Sequence, residues 1–399
     1  MPLLALSSKP AYVLAARPPV ATPRGLGSKH GPAMAPASRL SCVDRRHVLR
    51  GLAAAAALAP APGHAEDKDR PAPAGIEAIE VNSRPIDHFE RGRSEATRFG
   101  PLQFRGGLVL SSPSADFGGW SGLVMAPDGH RLLAVSDVGS WMTADVGYAG
   151  TRPMRLERAR IGPLLDSGGR HLDSKKEADA ESVTLLDGDL RRGTLLVGFE
   201  RHHRIDRYPI RDGIVQPSDG GLKLPAEAKR MPNNQGIEAL AVLKGGRYAG
   251  AVVAFAERFT RGSGYHTGWL WIGGGEPQRF QLQDIEGFNI TDAAALPGGG
   301  LIVLERFFRW TEGVKMRLRL IPAAEVAPGV RTAGRILFQG ESNYEIDNME
   351  GLAVHKSPSG ETVLTLISDD NFNHFLQRTV LLQFALVDDD VKRASPPRT

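Results

Sequence analysis

The sequence predicts an all-β protein, a β-propeller of six four-stranded blades around a central channel. Three observations lead there. A short motif, a polar or acidic residue followed by small and apolar ones, recurs along the chain. Each copy is followed by a Gly-, Asp- or Pro-containing turn and then a β-rich run that ends in charge. Runs with the 3.6-residue period of an amphipathic helix are scarce, which argues against a helical solenoid. Another all-β fold is the alternative.

The first 65 residues read as separate from that fold. Asp44-Arg45-Arg46-His47-Val48-Leu49-Arg50 precedes an apolar run from Gly51 to Pro60 and the small residues Pro62-Gly63-His64-Ala65. This is a basic segment, a short apolar segment and a cleavage site. The adjacent arginines resemble a twin-arginine export signal, with departures at Asp44 and Val48. The apolar run is too short to span a bilayer. A disordered Ala/Pro-rich tail is the other reading. Residues 1–33 are long for such a segment, and Met34 is an alternative start. The expected organisation is therefore a signal over 1–65 and a linker with the start of the fold over 66–89. The propeller follows over 90–390 and a tail over 391–399. The expected location is periplasmic or secreted.

Charge supports this division. Residues 1–65 carry eight Lys/Arg and one acid, a net of +7 against +4 for the whole chain, which leaves the remainder at −3. The basic character belongs to the signal and gives no support for nucleic-acid binding. A single cysteine, Cys42, excludes a disulfide framework or a cysteine zinc site within one chain.

The repeat then runs in order. Its copies are Trp120-Ser121-Gly122-Leu123, Ala180-Glu181-Ser182-Val183, Ile237-Glu238-Ala239-Leu240, Thr291-Asp292-Ala293-Ala294 and Met349-Glu350-Gly351-Leu352. The polar residues stand at 121, 181, 238, 292 and 350, in steps of 60, 57, 54 and 58. Turns such as Pro127-Asp128-Gly129, Asp187-Gly188-Asp189 and Pro358-Ser359-Gly360 separate paired strands, the pattern of a hairpin. A hairpin sets the start of its first strand beside the end of its second. Glu181 is thus expected beside Glu200 and Arg201, Glu238 beside Glu257 and Arg258, Asp292 beside Glu305 and Arg306, and Glu350 beside Asp369 and Asp370. Five units plus the leftover ends give six blades, with residues 66–120 and the strand Arg378 to Val387 sharing the last. The first strand of each blade lines the channel, so Ser121, Glu181, Glu238, Asp292 and Glu350 are expected to ring one mouth.

These motifs, in order, resemble the phytase-like family described as having "esterase-like activity of phytase". They are "SGL" with "SDVG", "AESV" with "FER", "IEAL" with "AER", then "LER", and "MEGLAV" with "SDDNF". The resemblance covers roughly residues 90–390 and implies a bacterial, often exported propeller with hydrolase activity. The calcium-dependent propeller phytases are similar more loosely, because their long aspartate-rich calcium loops are missing here. Gluconolactonase-type propellers offer an analogy of architecture, with acids before Gly on inner strands and a divalent metal bound there.

Two chemical readings follow. Several carboxylates in one channel repel unless a cation lies among them, and oxygen ligands suit Ca²⁺ or another divalent metal. Glu181, Glu238, Asp292, Glu350 and Asp369 are the candidate ligands, with Asp370 and Asn371 in support. Pairing of each carboxylate with arginine is the competing reading. Arg201, Arg258 and Arg306 have the fork that grips phosphate or carboxylate, or else they bridge blades. A metal-assisted ester or phosphoester hydrolase would use Glu181, Glu238, Glu350 and Arg201 catalytically, and Arg201, Arg258, Arg306 and Ser121 for the substrate. A non-catalytic propeller binding a small ligand or protein partner at the same face is the alternative. Ser121 lacks the Gly-x-Ser-x-Gly setting of a nucleophile, so a lining hydroxyl is expected. His202 and His203 are expected on a surface loop, and the segment between Trp141 and Ala180 is expected to cover the mouth. The expected partner is a small ester or anionic substrate, with no nucleic acid, no membrane once the signal is removed, and a monomeric state.

Overall fold

Short apolar runs punctuated by Gly, Asp and Pro turns pair as antiparallel strands wherever two of them meet across a tight turn. Contacts divide the chain into Met1–Pro60 and Ala61–Thr399. The computed structural model describes residues 70–387, apart from 234, 258, 260 and the side chain of 261. The export signal and the tail from 391 therefore lie outside the described residues.

The described residues form a β-propeller of five blades, one for each copy of the repeat. The innermost strands are Trp120–Met125, Ala180–Gly188, Ile237–Val242, Asn289–Ala295 and Asn348–Lys356, and they begin blades I to V in that order. Each packs against the next, and the last packs back against the first. Among the described residues helix is nearly absent, with a one-turn α-helix, Lys175–Ala178, and three short 3₁₀ turns. Among the described residues no helix is long and apolar enough to cross a membrane.

The expected sixth blade does not exist. Strand Thr379–Leu386 is the third strand of blade V, with Thr362 opposite Leu386. Its free edge then takes the N-terminal strand Leu102–Ser111, and that strand takes Asn82–Ile86. Both chain ends thus complete one blade. The expectation of four strands per blade also fails in detail. Blade IV has four strands, blades I, II and III have five with two-residue strands counted, and blade V has six, the short Arg98–Phe99 among them.

The core explains why the ring closes. Blades stack face to face, so their strands bury both faces and read as continuous apolar runs, as in Thr379–Leu386. Five apolar clusters fill the five interfaces between blades. The cluster between V and I joins Ala353, Ile367 and Leu381 to Leu123, Leu132 and Met142. Burying side chains of this size contributes roughly 1.5–3 kcal/mol each.

Inner strands crowd at the axis, and glycine makes room there. A Cβ on Gly351 would stand 2.6 Å from Ile367 Cγ2 and 3.0 Å from Leu123 Cβ of blade I. Neither neighbour can withdraw, since both are core residues. Gly351→Ala is therefore expected to destabilise the fold by about 1–3 kcal/mol through overpacking, read as a lower denaturation midpoint at unchanged slope.

Candidate functional site: the acidic channel mouth

Every inner strand carries one bulge near its start, at the same place in the blade. The residues skipped by the ladder are Ser121, Glu181, Glu238, Thr291 and Glu350. A bulge leaves one residue unpaired and re-aims its side chain. On the adjoining strand, the residue one past the partner of the pre-bulge residue is Asp137, Glu200, Glu257, Arg306 or Asp369. These sit opposite Gly119, Asp179, Gly236, Asn289 and Asn348 respectively. Two stacked rings of side chains thus surround the mouth.

Blade IV is framed one residue differently from the expectation. Matching acid to acid placed Asp292 in the ring, but the ladder places Thr291 there. Asp292 lies one residue deeper and is 1% exposed. Its carboxylate accepts the amides of Ala293 at 2.8 Å and Leu352 at 2.7 Å, so it ties blade IV to blade V. The same slip affects the second ring, where Arg306 stands in place of Glu305. Glu305 turns into the blade interior and pairs with Arg319 and Arg317. The signal that sets the right frame is the apolar residue before the bulge: Trp120, Ala180, Ile237, Ile290 and Met349.

The structure brings Glu181, Glu238, Glu350, Asp369, Arg201 and Arg306 to this mouth, and with them Asp137, Asp179, Glu200 and Glu257. Two groups of acids have carboxylate oxygens within 4.8 Å of one another and could hold a metal ion. They are Asp179, Glu181 and Glu200, and Glu200, Glu238 and Glu257. Glu200 belongs to both. Among the described residues, nothing donates a hydrogen bond to Glu181 or Glu238.

Electrostatic strain follows from this crowding. Burial, then the carboxylates of Asp179, Glu238 and Glu200, push the Glu181 carboxyl well above the usual range. Burial, then Glu257, Glu200 and Glu350, do the same to Glu238. Glu200 is pushed up to about 8 by burial, then by Asp179 and Glu257. Asp369 is raised by burial and then by Glu350, Asp137 and Asp370. Carboxylates this close favour either shared protons or a cation between them.

Resident cations answer only part of this charge. Lys175 Nζ donates to Asp137 Oδ2 at 2.7 Å and to the Asp137 carbonyl at 2.9 Å, and it lies 2.7 Å from Asp179 Oδ1. Arg201 Nε donates to Asp179 Oδ2 at 2.5 Å. Both oxygens of Asp179 are thus engaged, and Arg201 is held as a structural partner. Arg306 pairs with Glu350 at 3.2 Å and donates to Asn348 Oδ1. Asn348 in turn donates to Glu350 Oε1 at 2.9 Å. Arg258 lies outside the described residues.

The segment between Trp141 and Ala180 covers the mouth less than expected. Most of it is the hairpin Ser140–Ala149 and Arg152–Pro163 of blade I, and the rest reaches the mouth through Lys175. Ser121 is buried and its hydroxyl donates to the Gly119 carbonyl at 3.4 Å. His202 is exposed and faces Glu177 at 2.9 Å, and His203 contacts the Pro232 carbonyl. Asp370 accepts from the amides of Gly119 and Phe372 and from Thr379 Oγ1, which fixes the loop after the ring. Asp179 and Lys175 went unseen in the sequence because neither lies in the repeat.

No curated protein matches the chain. Among solved structures, the β-propeller domain of Cps50 (Swd1) from Myceliophteria thermophila is 10% identical, covering 77% of this chain and 99% of that one, with a TM-score of 0.37. XC5397 from Xanthomonas campestris, described as a gluconolactonase, is 12% identical, covering 79% of this chain and 99% of that one, with a TM-score of 0.33. A family model matches residues 115–372, from just before the inner strand of blade I to the loop after the second strand of blade V, and by that match the chain belongs to the phytase-like family, "esterase-like activity of phytase".

Proposed function

We propose that this protein is an exported hydrolase of phosphate or carboxylate esters that works with a divalent cation, Ca²⁺ foremost, at the acidic mouth. One observation carries the reading: two carboxylate triads, both containing Glu200, each have ligand oxygens within 4.8 Å of one another, close enough to hold an ion. The donor set suits a hard cation, since it is all oxygen. Glu200, Glu238 and Glu257 would hold it, with Glu181 beside them, because Asp179 is already committed to Lys175 and Arg201. We propose Asp369, beside Glu350 and outside both triads, as a further oxygen donor at the mouth. When bound, such a cation supplies Lewis acidity toward an ester oxygen and lowers the pKa of water.

The chain's own groups do the rest. Arg306, held by Glu350 and Asn348, presents a fixed positive charge to an anionic ester. Glu181, beside that ligand set, has a carboxyl group that exchanges its proton at higher pH than an ordinary glutamate, as a general acid or base requires. Ser121 lines the mouth as a hydroxyl. A binding-only propeller is the second reading, favoured by the saturation of Asp179 with Lys175 and Arg201.

The test is turnover of p-nitrophenyl phosphate and p-nitrophenyl acetate by purified protein, with and without chelator. Chelation is expected to abolish hydrolysis of at least one ester, and Ca²⁺ to restore it. A protein that retains no cation and shows no chelator-sensitive turnover would leave the binding reading in its place.

A further inference from the structure

Large apolar side chains are exposed at few places among the described residues, and most of them lie on one side of the mouth. Phe308 and Trp310 are 43% and 69% exposed, and Phe375 and Leu376 are 93% and 61% exposed. The second and third strands of a blade join on the face where its inner strand begins, which is the mouth face. In blade IV the pair Leu301–Arg309 and Gly313–Ile321 overshoots the ring residue Arg306 and turns above it. In blade V the loop after Asp369 does the same before Thr379–Leu386 begins. Blades IV and V are neighbours sharing one core.

Strand alternation aims one of these side chains toward the site. Residues two apart on a strand share a face. Arg306 points at Glu350 and Asn348, so Phe308 projects on that same side. Phe307 goes the other way and packs on Phe288 with ring centroids 5.3 Å apart. The matching turns of blades I and II are polar or tight, with Arg201-His202-His203 in blade II and Asp137-Val138-Gly139 in blade I. The rim thus carries exposed apolar side chains over IV and V, and over I and II it carries Lys175 and Arg201 ion-paired to Asp137 and Asp179.

We infer that the ester taken here is a soluble amphiphile, with a single anionic ester group at Arg306 joined to an aryl or alkyl group that packs on Phe308, Trp310, Phe375 and Leu376. A substrate with many phosphates fits less well, because carboxylates outnumber cations around the mouth and repel each added negative charge. An apolar group gains by covering exposed aromatic surface, and a polyol does not. Turnover of such an ester rests on the hydrolase reading above, whereas its binding does not.

The experiment compares naphthyl phosphate with glycerol phosphate on the full protein in Ca²⁺-containing buffer, by calorimetric titration and by hydrolysis. Naphthyl phosphate is expected to bind about tenfold more tightly or better. Trp310→Ala and Phe375→Ala are each expected to remove much of that preference while leaving glycerol phosphate and thermal stability unchanged. Equal binding of the two esters, or a preference that survives both substitutions, would overturn the inference. So would a rim occupied by anionic vesicles in flotation, or by a second copy in sedimentation, in place of the soluble ester. A binding preference without any hydrolysis would overturn the hydrolase alone.

Discussion

Glu305→Gln is expected to lower the unfolding free energy by roughly 3–5 kcal/mol, the cost of breaking a buried ion pair from one side. Glu305, Arg317 and Arg319 are all 0% exposed. Glu305 Oε1 accepts from Arg319, and Arg317 lies 3.8 Å from Oε2. Arg319 is pinned by the Gln283 carbonyl at 2.7 Å, and Arg317 by the Ile285 carbonyl and Gln339, each at 2.9 Å. The cluster thus ties two strands of blade IV to the connection from blade III. Burial is its dominant cost. It pushes the Glu305 carboxyl up to about 7 against the pull of both arginines, and it lowers Arg319 despite the adjacent carboxylate. Removing this charge strands the Arg319 guanidinium with no way out to water, whereas Arg317 keeps its second partner, Glu286 at 2.5 Å. Replacing Glu305 and Arg319 together by Leu and Met is expected to cost less than Glu305→Gln alone, because Arg317 keeps Glu286 and no buried charge is then stranded. Guanidinium denaturation reads both. A single variant within about 1 kcal/mol of wild type would show that the cluster is not held as described.

The second large effect is a pH dependence opposite to that of ordinary carboxylates. Glu200 titrates near 8 in the folded protein, above its usual value of 4.5. Between those values the folded state holds a proton that the unfolded state has lost. Stability from this group is therefore present below about pH 4.5 and is lost as pH rises toward 8, at up to about 1.4 kcal/mol per pH unit. Glu181, Glu238 and Asp369 are raised as well and add to the same slope. Metal-free protein should melt at progressively lower temperature from pH 5 to pH 8, and a divalent cation should reverse the trend by replacing the protons. Glu200→Gln should flatten the slope and raise the melting temperature of metal-free protein near pH 8.

Much of this was legible in the sequence, for reasons that also mark its limits. A propeller repeats one local hairpin, so Glu181, Glu238 and Glu350 betray themselves by spacing and by the apolar residue before each. The blade count was not legible, because closure depends on Leu102–Ser111 pairing with Thr379–Leu386. That contact joins the two ends of the fold and leaves no local pattern. The bulge was invisible too. It decides that Thr291 and Arg306, not Asp292 and Glu305, reach the mouth, and a matching of acids to acids cannot find it. Lys175 and Asp179 arrive from outside the repeat, so spacing had nothing to say about them.

Calorimetric titration of Ca²⁺ into metal-free wild type and Glu200→Gln at pH 8 tests the central claim most directly. Glu200 is common to both carboxylate triads, so its neutralisation touches either one. Wild type should bind with proton release, and the variant should bind at least about a hundredfold more weakly while remaining folded. Absence of binding by wild type to Ca²⁺, Mg²⁺ and Mn²⁺ alike, or equal binding by the variant, would contradict it.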